Sequence, residues 1–175
     1  MKYPQLREQL VSTCKAMNAS GINQGTSGNL SLRTEDGFLI TPSGRPYDTM
    51  MPEDIVEMGF DGTYDGLRPS SEWRFHRDIL KARDDINVVL HCHSIYATTL
   101  ACHHKSIPSF HYMTGVAGGT DIRCADYATF GTQALSDNAR SASPPVEKDP
   151  GREMIGVGVQ KATQMSWNSG VGFER

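Results

Sequence analysis

The sequence predicts a mixed α/β layer fold, a single domain in which a largely antiparallel central sheet is flanked by helices. Two observations predict this fold. Apolar residues at helical spacing alternate along the chain with short strand-like runs, and several of these runs pair up as hairpins. The length of 175 residues also fits one compact domain, since domains typically run from about 50 to 250 residues. We therefore expect residues 1–175 to form one domain.

The first elements are an amphipathic helix and a hairpin. The helix is indicated by four apolar residues that recur at helical spacing and end before Ser20 and Gly21, namely Leu6, Leu10, Cys14 and Met17. Residues 30–33 and 37–40 then predict two strands joined through the polar turn 34–36. The break at residues 41–44 ends the second strand.

Helices and strands continue to alternate in the rest of the chain. Residues 52–58 predict a short helical turn followed by a strand, with a second hairpin through the turns at 61–62 and 65–66. Three helices and one buried strand follow, over residues 71–83, 94–102 and 131–142 for the helices and 86–91 for the strand.

Composition excludes several classes of partner. The formal charge of −3 and the pI near 6.0 provide no basic surface for nucleic acid or anionic membranes. The four cysteines form no CxxC pair, which favours reduced thiols in the cytosol. Residues 1–17 contain no continuous apolar stretch, so we expect no signal peptide or membrane span and a cytoplasmic protein.

The residues His91, Cys92 and His93 predict a metal site. Side chains alternate between the faces of a strand, so the two imidazoles share one face with Cα atoms about 6.6 Å apart, while Cys92 points the other way into packing. Two imidazoles suit Zn²⁺, and a catalytic zinc ion usually has three protein ligands and an open position. The alternative is that the pair is structural, because a His-x-His pattern alone is common.

Glu72 lies at the start of the helix predicted over residues 71–83, next to Ser70 and Ser71. The N-terminal end of a helix favours anions, so this segment predicts a phosphate cradle beside an acid/base. The alternative is that a serine and Glu72 merely cap the helix. The same ambiguity holds for residues 25–29 and 43–44, where glycine allows close approach to an anion but also makes turns. We expect His76 to pack against Trp73 rather than bind metal.

Several motifs, taken in order, give the chain a resemblance to a known family. They are Asn23 to Asn29, Ile40 to Gly44, Ser70 to His76, His91 to His93, and residues 107–131 with His111-Tyr112-Met113 and Tyr127 to Gly131. With these motifs the chain resembles class II aldolases of the aldolase/adducin superfamily, and the resemblance covers about the first 140 residues.

The resemblance implies a role for each matching position. His91 and His93 would bind Zn²⁺, and Glu72 would approach the metal and act as the catalytic acid/base. The substrate phosphate would contact Asn29, Ser43, Gly44, Ser70 and Ser71, while Tyr112 and Phe130 would lie near the aldehyde, at a site shared between subunits of a homotetramer. The implied reaction is cleavage of a ketose 1-phosphate, such as L-fuculose 1-phosphate, to dihydroxyacetone phosphate and an aldehyde.

The last part of the sequence departs from the family. A third zinc-binding histidine is expected just before a Met-Ile strand, but here Met154 follows Gly151, Arg152 and Glu153, and no histidine follows His111. Residues 154–159 predict one strand, and residues 160–175 predict a poorly ordered segment or a weak helix. We expect residues from about 141 to 175 to be divergent or truncated, through real divergence, a frame slip or a damaged gene.

Three alternative functions therefore stay open. The chain could be another sugar-phosphate enzyme of the superfamily, either a 4-epimerase or a dehydratase. It could also be a non-catalytic adducin-like protein, which the missing third histidine would favour.

Overall fold

A computed structural model describes residues 1–112, 114 and 120–142 of the chain. Its five described strands are β1 (Asn29–Arg33), β2 (Gly37–Ile40), β3 (Val56–Gly59), β4 (Tyr64–Asp65) and β5 (Val88–His91). They form one sheet in the order β4-β3-β2-β1-β5, and all four pairings are antiparallel. The predicted α/β fold with a largely antiparallel sheet is confirmed.

Helices cover both faces of the sheet. They are α1 (Pro4–Ala19), α2 (Trp73–Ala82), α3 (Ile95–Cys102) and α4 (Gln133–Ala142), with short 3₁₀ turns at Tyr47–Thr49 and Pro52–Asp54. No helix in the described ranges is long and apolar enough to cross a membrane. The strand predicted over 154–159 and the tail 160–175 lie outside the described residues.

Two apolar clusters result from the alternation of side chains along the strands. One packs α1 on the sheet and contains Leu10, Val11, Cys14, Met17, Leu30, Leu39, Tyr47, Met50 and Ile55. The other lies under α2 and α4 and contains Phe38, Ile40, Val56, Met58, Phe75, Ile79, Leu80, Ile86, Val89 and Leu135. Neighbouring residues such as Leu39 and Ile40 therefore belong to opposite clusters.

The polar residues of β1 lie on the α2 side of the sheet. Asn29 and Ser31 alternate with Leu30 and are buried. Arg33, two residues further, donates to the carbonyl oxygens of Leu80 and Arg83 at the end of α2. These carbonyls belong to the last turn of a helix, where they have no partner within the helix, so Arg33 holds α2 onto β1.

Four predicted elements start later than expected, of which α3 is late by one residue only. Helix α2 begins at Trp73 rather than Ser71, because the N–H of Ser70 is hydrogen-bonded to Thr41 in a neighbouring loop. Strand β5 begins at Val88 because residues 83–86 close a turn. Helix α4 begins at Gln133 because Thr132 Oγ1 accepts from Leu135 N–H, which satisfies a donor at the start of the helix.

Candidate functional site

The register between β1 and β5 places Asn29 directly opposite His91. Both are buried or half-buried, and both lie at the end of their strands nearest the start of α2. Because side chains alternate along an extended chain, His93 lies on the same side as His91, and their ring centroids are 4.8 Å apart. Cys92 packs with the α1 cluster on the other side, as predicted.

Three side chains converge at this point. The Nε2 atoms of His91 and His93 are 3.0 Å apart, and Nε2 of His91 is 3.3 Å from Oε2 of Glu72. Two nitrogen ligands of one tetrahedral zinc ion lie about 3.3 Å apart, given Zn–N bonds of about 2.0–2.1 Å. The two imidazoles and the carboxylate therefore fit one small cation as a partial ligand set.

The described residues do not complete that set. Within residues 1–112, 114 and 120–142, no three His, Cys, Asp or Glu side chains are arranged as a complete metal site. The position at which the family would place its third histidine lies outside this part of the chain. The metal roles of His91, His93 and Glu72 therefore stay predictions.

Burial sets the protonation of these groups. It lowers the pKa of His91 to about 4 and also lowers the pKa of His93, with a further contribution from His91. Both imidazoles are thus neutral near pH 7, the form that binds metals. The contact between His91 and Glu72 therefore joins a carboxyl group to a neutral ring and is not an ion pair.

Burial acts in the opposite direction on Glu72. It raises the pKa of the carboxyl group, although a hydrogen bond from Asn29 and an electrostatic interaction with His93 partly oppose the shift. A raised pKa makes the carboxyl group a stronger base, which suits general acid–base chemistry. Glu72 is the residue just before α2, so the start of that helix sets its place.

A chain of hydrogen bonds leads from Glu72 into the sheet. Asn29 Nδ2 donates to Oε2 of Glu72 at 2.8 Å, and Asn29 Oδ1 lies 2.5 Å from Nε2 of His76. The other ring nitrogen of His76 is 2.7 Å from Oγ of Ser31. His76 stacks on Phe75, so the prediction of packing holds, but its polar partners are in β1 and the expected packing against Trp73 is wrong.

Thr41 joins the segments that carry the predicted phosphate residues. Its N–H donates to the carbonyl oxygen of Leu30, and its own carbonyl oxygen accepts from Ser70 N–H. Next to this link, Ser43 N–H donates to Arg68. Asn29, Ser43, Gly44, Ser70 and Ser71 therefore lie on adjoining segments, with the side chain of Asn29 turned to Glu72.

The remaining predicted residues are at the surface. Gly131 packs so closely on Ser71 that a Cβ atom would be 2.8 Å from its carbonyl oxygen, so only glycine fits there. This contact places the neighbouring Phe130, which is half exposed, beside the Ser70–Ser71 segment. Tyr112 is 79% exposed and its ring contacts that of His111 in a tilted arrangement, and the described contacts do not connect it to Glu72.

Sequence reasoning missed a residue that holds the site together. Asn23 is buried, and its Oδ1 accepts from Ser27 Oγ and from the N–H of His93. The residue thus ties the glycine-rich loop to the end of β5. Gly28 in the same loop lies so close to His91 that a Cβ atom would be 2.6 Å from its carbonyl oxygen. The motif around Asn23 was visible, but its long-range partner was not.

The sequence is similar to those of known aldolases. A 5-methylthioribulose-1-phosphate/5-deoxyribulose-1-phosphate aldolase of Rhodospirillum rubrum is 50% identical over 138 residues, which are 78% of this chain and 62% of the relative. An L-fuculose phosphate aldolase of Escherichia coli is 45% identical over 143 residues, 81% of this chain and 66% of the relative. The chain thus spans slightly less than two thirds of each of these relatives.

A solved structure of an L-fuculose 1-phosphate aldolase shares the fold. It superposes with a TM-score of 0.76 at 37% identity and covers 79% of this chain and 67% of its own. Residues 8–151 match the family described as the Class II Aldolase and Adducin N-terminal domain. This match spans most of the sequence and includes every predicted site residue. The chain therefore belongs to the class II aldolase and adducin family.

Proposed function

We propose that this chain carries the catalytic site of a class II aldehyde-lyase that cleaves a ketose 1-phosphate to dihydroxyacetone phosphate and an aldehyde. The observation that supports the proposal most strongly is the convergence of Glu72, His91 and His93 beside the Ser70–Ser71 segment. A proton-transfer group, two neutral imidazoles and a candidate phosphate site are the parts this reaction needs. Relatives named as aldolases of ketose 1-phosphates support the same reaction.

In the proposed reaction the bond between C3 and C4 of the ketose breaks. The hydroxyl on C4 gives its proton to solvent water and becomes the aldehyde, while the electron pair of the broken bond passes to C3 of the dihydroxyacetone phosphate fragment. Glu72 then delivers a proton to C3, and it removes this proton in the reverse reaction. Burial raises the pKa of its carboxyl group, which makes Glu72 a stronger base for this role.

We propose Zn²⁺ as the cofactor, held by His91 and His93 with Glu72 beside them. When bound, the ion supplies positive charge for the oxygen on which negative charge develops. The residues of the chain bind and orient the substrate: Asn29, Ser43, Gly44, Ser70 and Ser71 contact the phosphate, and the side chain of Asn29 also holds the carboxylate of Glu72. We expect two histidines to retain zinc more weakly than three.

We also propose a homotetramer in the cytoplasm, with the aldehyde end of the site formed between neighbouring subunits. The exposure of Tyr112 and Phe130 supports this arrangement, because a residue that completes a neighbour's site must lie at the surface. Sedimentation analysis of the purified protein tests the oligomeric state.

The substrate is tested by turnover on a panel of ketose 1-phosphates. L-Fuculose 1-phosphate and 5-deoxyribulose 1-phosphate follow from the names of the relatives, and a pentulose 5-phosphate with no 1-phosphate is included to detect 4-epimerase activity. Aldehyde release in parallel with dihydroxyacetone phosphate supports an aldolase. Epimerised or dehydrated product would instead support one of the other superfamily reactions.

An adducin-like protein without activity is the second candidate, because no histidine follows His111 in the sequence. Metal content distinguishes the two functions. Zinc that is retained after dialysis and lost in His91→Ala supports the enzyme, while absence of both zinc and turnover supports the non-catalytic reading.

A further inference from the structure

The buried polar chain of Ser31, His76 and Asn29 ends at Glu72 and has no packing role that apolar residues could not fill. Ser31 and His76 are fully buried, and Asn29 is 4% exposed. Their side chains form consecutive hydrogen bonds of 2.7, 2.5 and 2.8 Å up to the carboxylate. Burying polar groups is costly even when they are paired, and each lost partner then costs more.

The orientation of Asn29 fixes the direction of every bond in the chain. Its NH₂ group donates to Oε2 of Glu72, so its carbonyl oxygen faces Nε2 of His76. His76 must then donate from Nε2. Burial lowers the pKa of His76 well below its usual value, so the ring is neutral and Nδ1 accepts a hydrogen bond from the hydroxyl of Ser31.

The other tautomer of His76 conflicts with the geometry. If Nδ1 of His76 carried the proton, Nε2 would be an acceptor and would favour the NH₂ group of Asn29. The carbonyl oxygen of Asn29 would then face the carboxylate of Glu72 at hydrogen-bond distance, and two acceptors would repel each other. With its hydroxyl donating to Nδ1, Ser31 stabilises the tautomer of His76 that the orientation of Asn29 toward Glu72 requires.

We propose that Ser31 and His76 are positioning residues that fix the amide of Asn29, so that Asn29 holds the carboxylate of Glu72 beside His91. The catalytic consequence rests on the proposed aldolase function, whereas the hydrogen-bond order does not. A displacement of about 1 Å in a catalytic group can cost about 100-fold in rate, so loss of this support acts on kcat more than on KM.

The first test is independent of activity. Histidine labelled with ¹⁵N in the full chain reports the tautomer of His76 by NMR, and His76→Gln identifies its signals. We expect the Nε2–H form at pH 7 and a mixture of tautomers in Ser31→Ala. The Nδ1–H form in the unmodified protein would overturn the proposal. A crystal structure of His76→Leu adds a second test, in which the carboxylate of Glu72 must leave Asn29.

The second test uses turnover and a matched control. Ser136 is a fully buried serine like Ser31 and also bonds a residue of α2, since its hydroxyl donates to Asp78, but it lies away from Glu72. We expect Ser31→Ala to lower kcat by about 3- to 10-fold at nearly constant KM, while Ser136→Ala lowers the melting temperature and leaves kcat unchanged.

A pair of variants at His76 separates positioning from folding. His76→Gln keeps an N–H donor for Asn29 and an acceptor for Ser31, so we expect kcat within about threefold of the original. His76→Leu lacks both groups and should lower kcat by about 10- to 100-fold. Equal kcat in the two variants, at equal melting temperature, would contradict the proposal. If the unmodified chain has no turnover, the proposed function fails, and the NMR and crystallographic results still decide the hydrogen-bond order.

Discussion

The two faces of the central sheet bury different kinds of side chain. Toward α1 the sheet presents apolar side chains such as Leu30 and Leu39, which pack with Leu10 and its neighbours. Toward α2, strand β1 presents Asn29 and Ser31, which hydrogen-bond Glu72 and His76. Both faces bury apolar area, but only the α2 face adds to its apolar cluster a row of buried polar groups from β1 that fix where particular atoms lie.

This difference shows where function is placed in the fold. Apolar packing tolerates exchanges of similar volume, whereas a buried hydrogen-bond chain loses its order when one member changes. The candidate site lies at the end of the polar row, where β1 and β5 end beside the start of α2. Substitutions on the α1 face should therefore change stability with little effect on the site, and substitutions in the polar row should do the reverse.

The largest expected effect comes from Glu72→Gln, which keeps the shape of the side chain and removes the titrating group. If the chain turns over a ketose 1-phosphate, kcat should fall by about 10²- to 10⁴-fold, the usual range for general acid–base catalysis. Steady-state kinetics measure the loss, and circular dichroism checks that the fold is kept. A variant with nearly normal kcat would show that another group moves the proton.

On the α1 face, Leu10→Ala should lower the free energy of unfolding by about 2–5 kcal/mol, because it leaves a cavity at a fully buried position. Urea denaturation measures the change. Leu67→Ala is the control, since Leu67 is 47% exposed and its loss should cost far less. Equal effects of the two substitutions would contradict the packing described for α1.

The same contrast explains what could be predicted from the sequence. Period-3.6 and period-2 apolar patterns predicted α1, α2 and the strands, because hydrophobic burial is local enough to be visible in spacing. The polar row left only a weak signal: Asn29 and Ser31 are two apart on a strand, and Glu72 and His76 are four apart at a helix start. Each pair lies on one face of its element, but spacing alone cannot show that the strand face with Asn29 and Ser31 packs against the helix face with Glu72 and His76.

The role of Asn23 was invisible for the same reason. Its partner, the N–H of His93, is 70 residues away, and an asparagine in a glycine-rich loop is usual for turns. The exact starts of α2 and β5 also depended on long-range contacts, such as the bond between Ser70 and Thr41. Geometry imposed by tertiary contacts therefore accounts for most of what the sequence did not predict.

Asn23→Ala tests whether the glycine-rich loop depends on that long-range contact. Removing Oδ1 leaves the N–H of His93 and the hydroxyl of Ser27 without this partner, and we expect a loss of about 1–3 kcal/mol in the free energy of unfolding. Asn138→Ala is the control, since Asn138 makes an exposed hydrogen bond to a carbonyl oxygen on the α4 side. Hydrogen exchange at the amide of His93 should speed up only in the first variant. If hydrogen exchange at the amide of His93 is unchanged in Asn23→Ala, the glycine-rich loop does not depend on this contact with the site.

The smallest expected effect is a pH dependence at the outer edge of the α2 face, where Asp78 joins α2 to α4. Burial of its carboxyl group opposes ionisation, but hydrogen bonds from Arg77, Gln133 and Ser136 outweigh it and lower the pKa to about 2 from 3.8. A carboxyl group with a lowered pKa in the folded state stabilises the protein fully above its unfolded pKa. That stabilisation is lost as pH falls through the folded value.

The difference in the free energy of unfolding between the unmodified chain and Asp78→Asn should therefore be constant from pH 7 to about 5 and shrink between about pH 4 and 2. Urea denaturation at pH 6, 4 and 3 measures it. The control is Asp137→Asn. Asp137 lies on α4, is more exposed than Asp78, and is 4.0 Å from its ion-pair partner Arg140. The difference in the free energy of unfolding between the unmodified chain and Asp137→Asn should therefore be small at every pH. A difference for Asp78→Asn that grows as the pH falls would mean that the carboxylate destabilises the junction between α2 and α4. The hydrogen bonds from α4 to Asp78 would then not be the reason that these helices pack together.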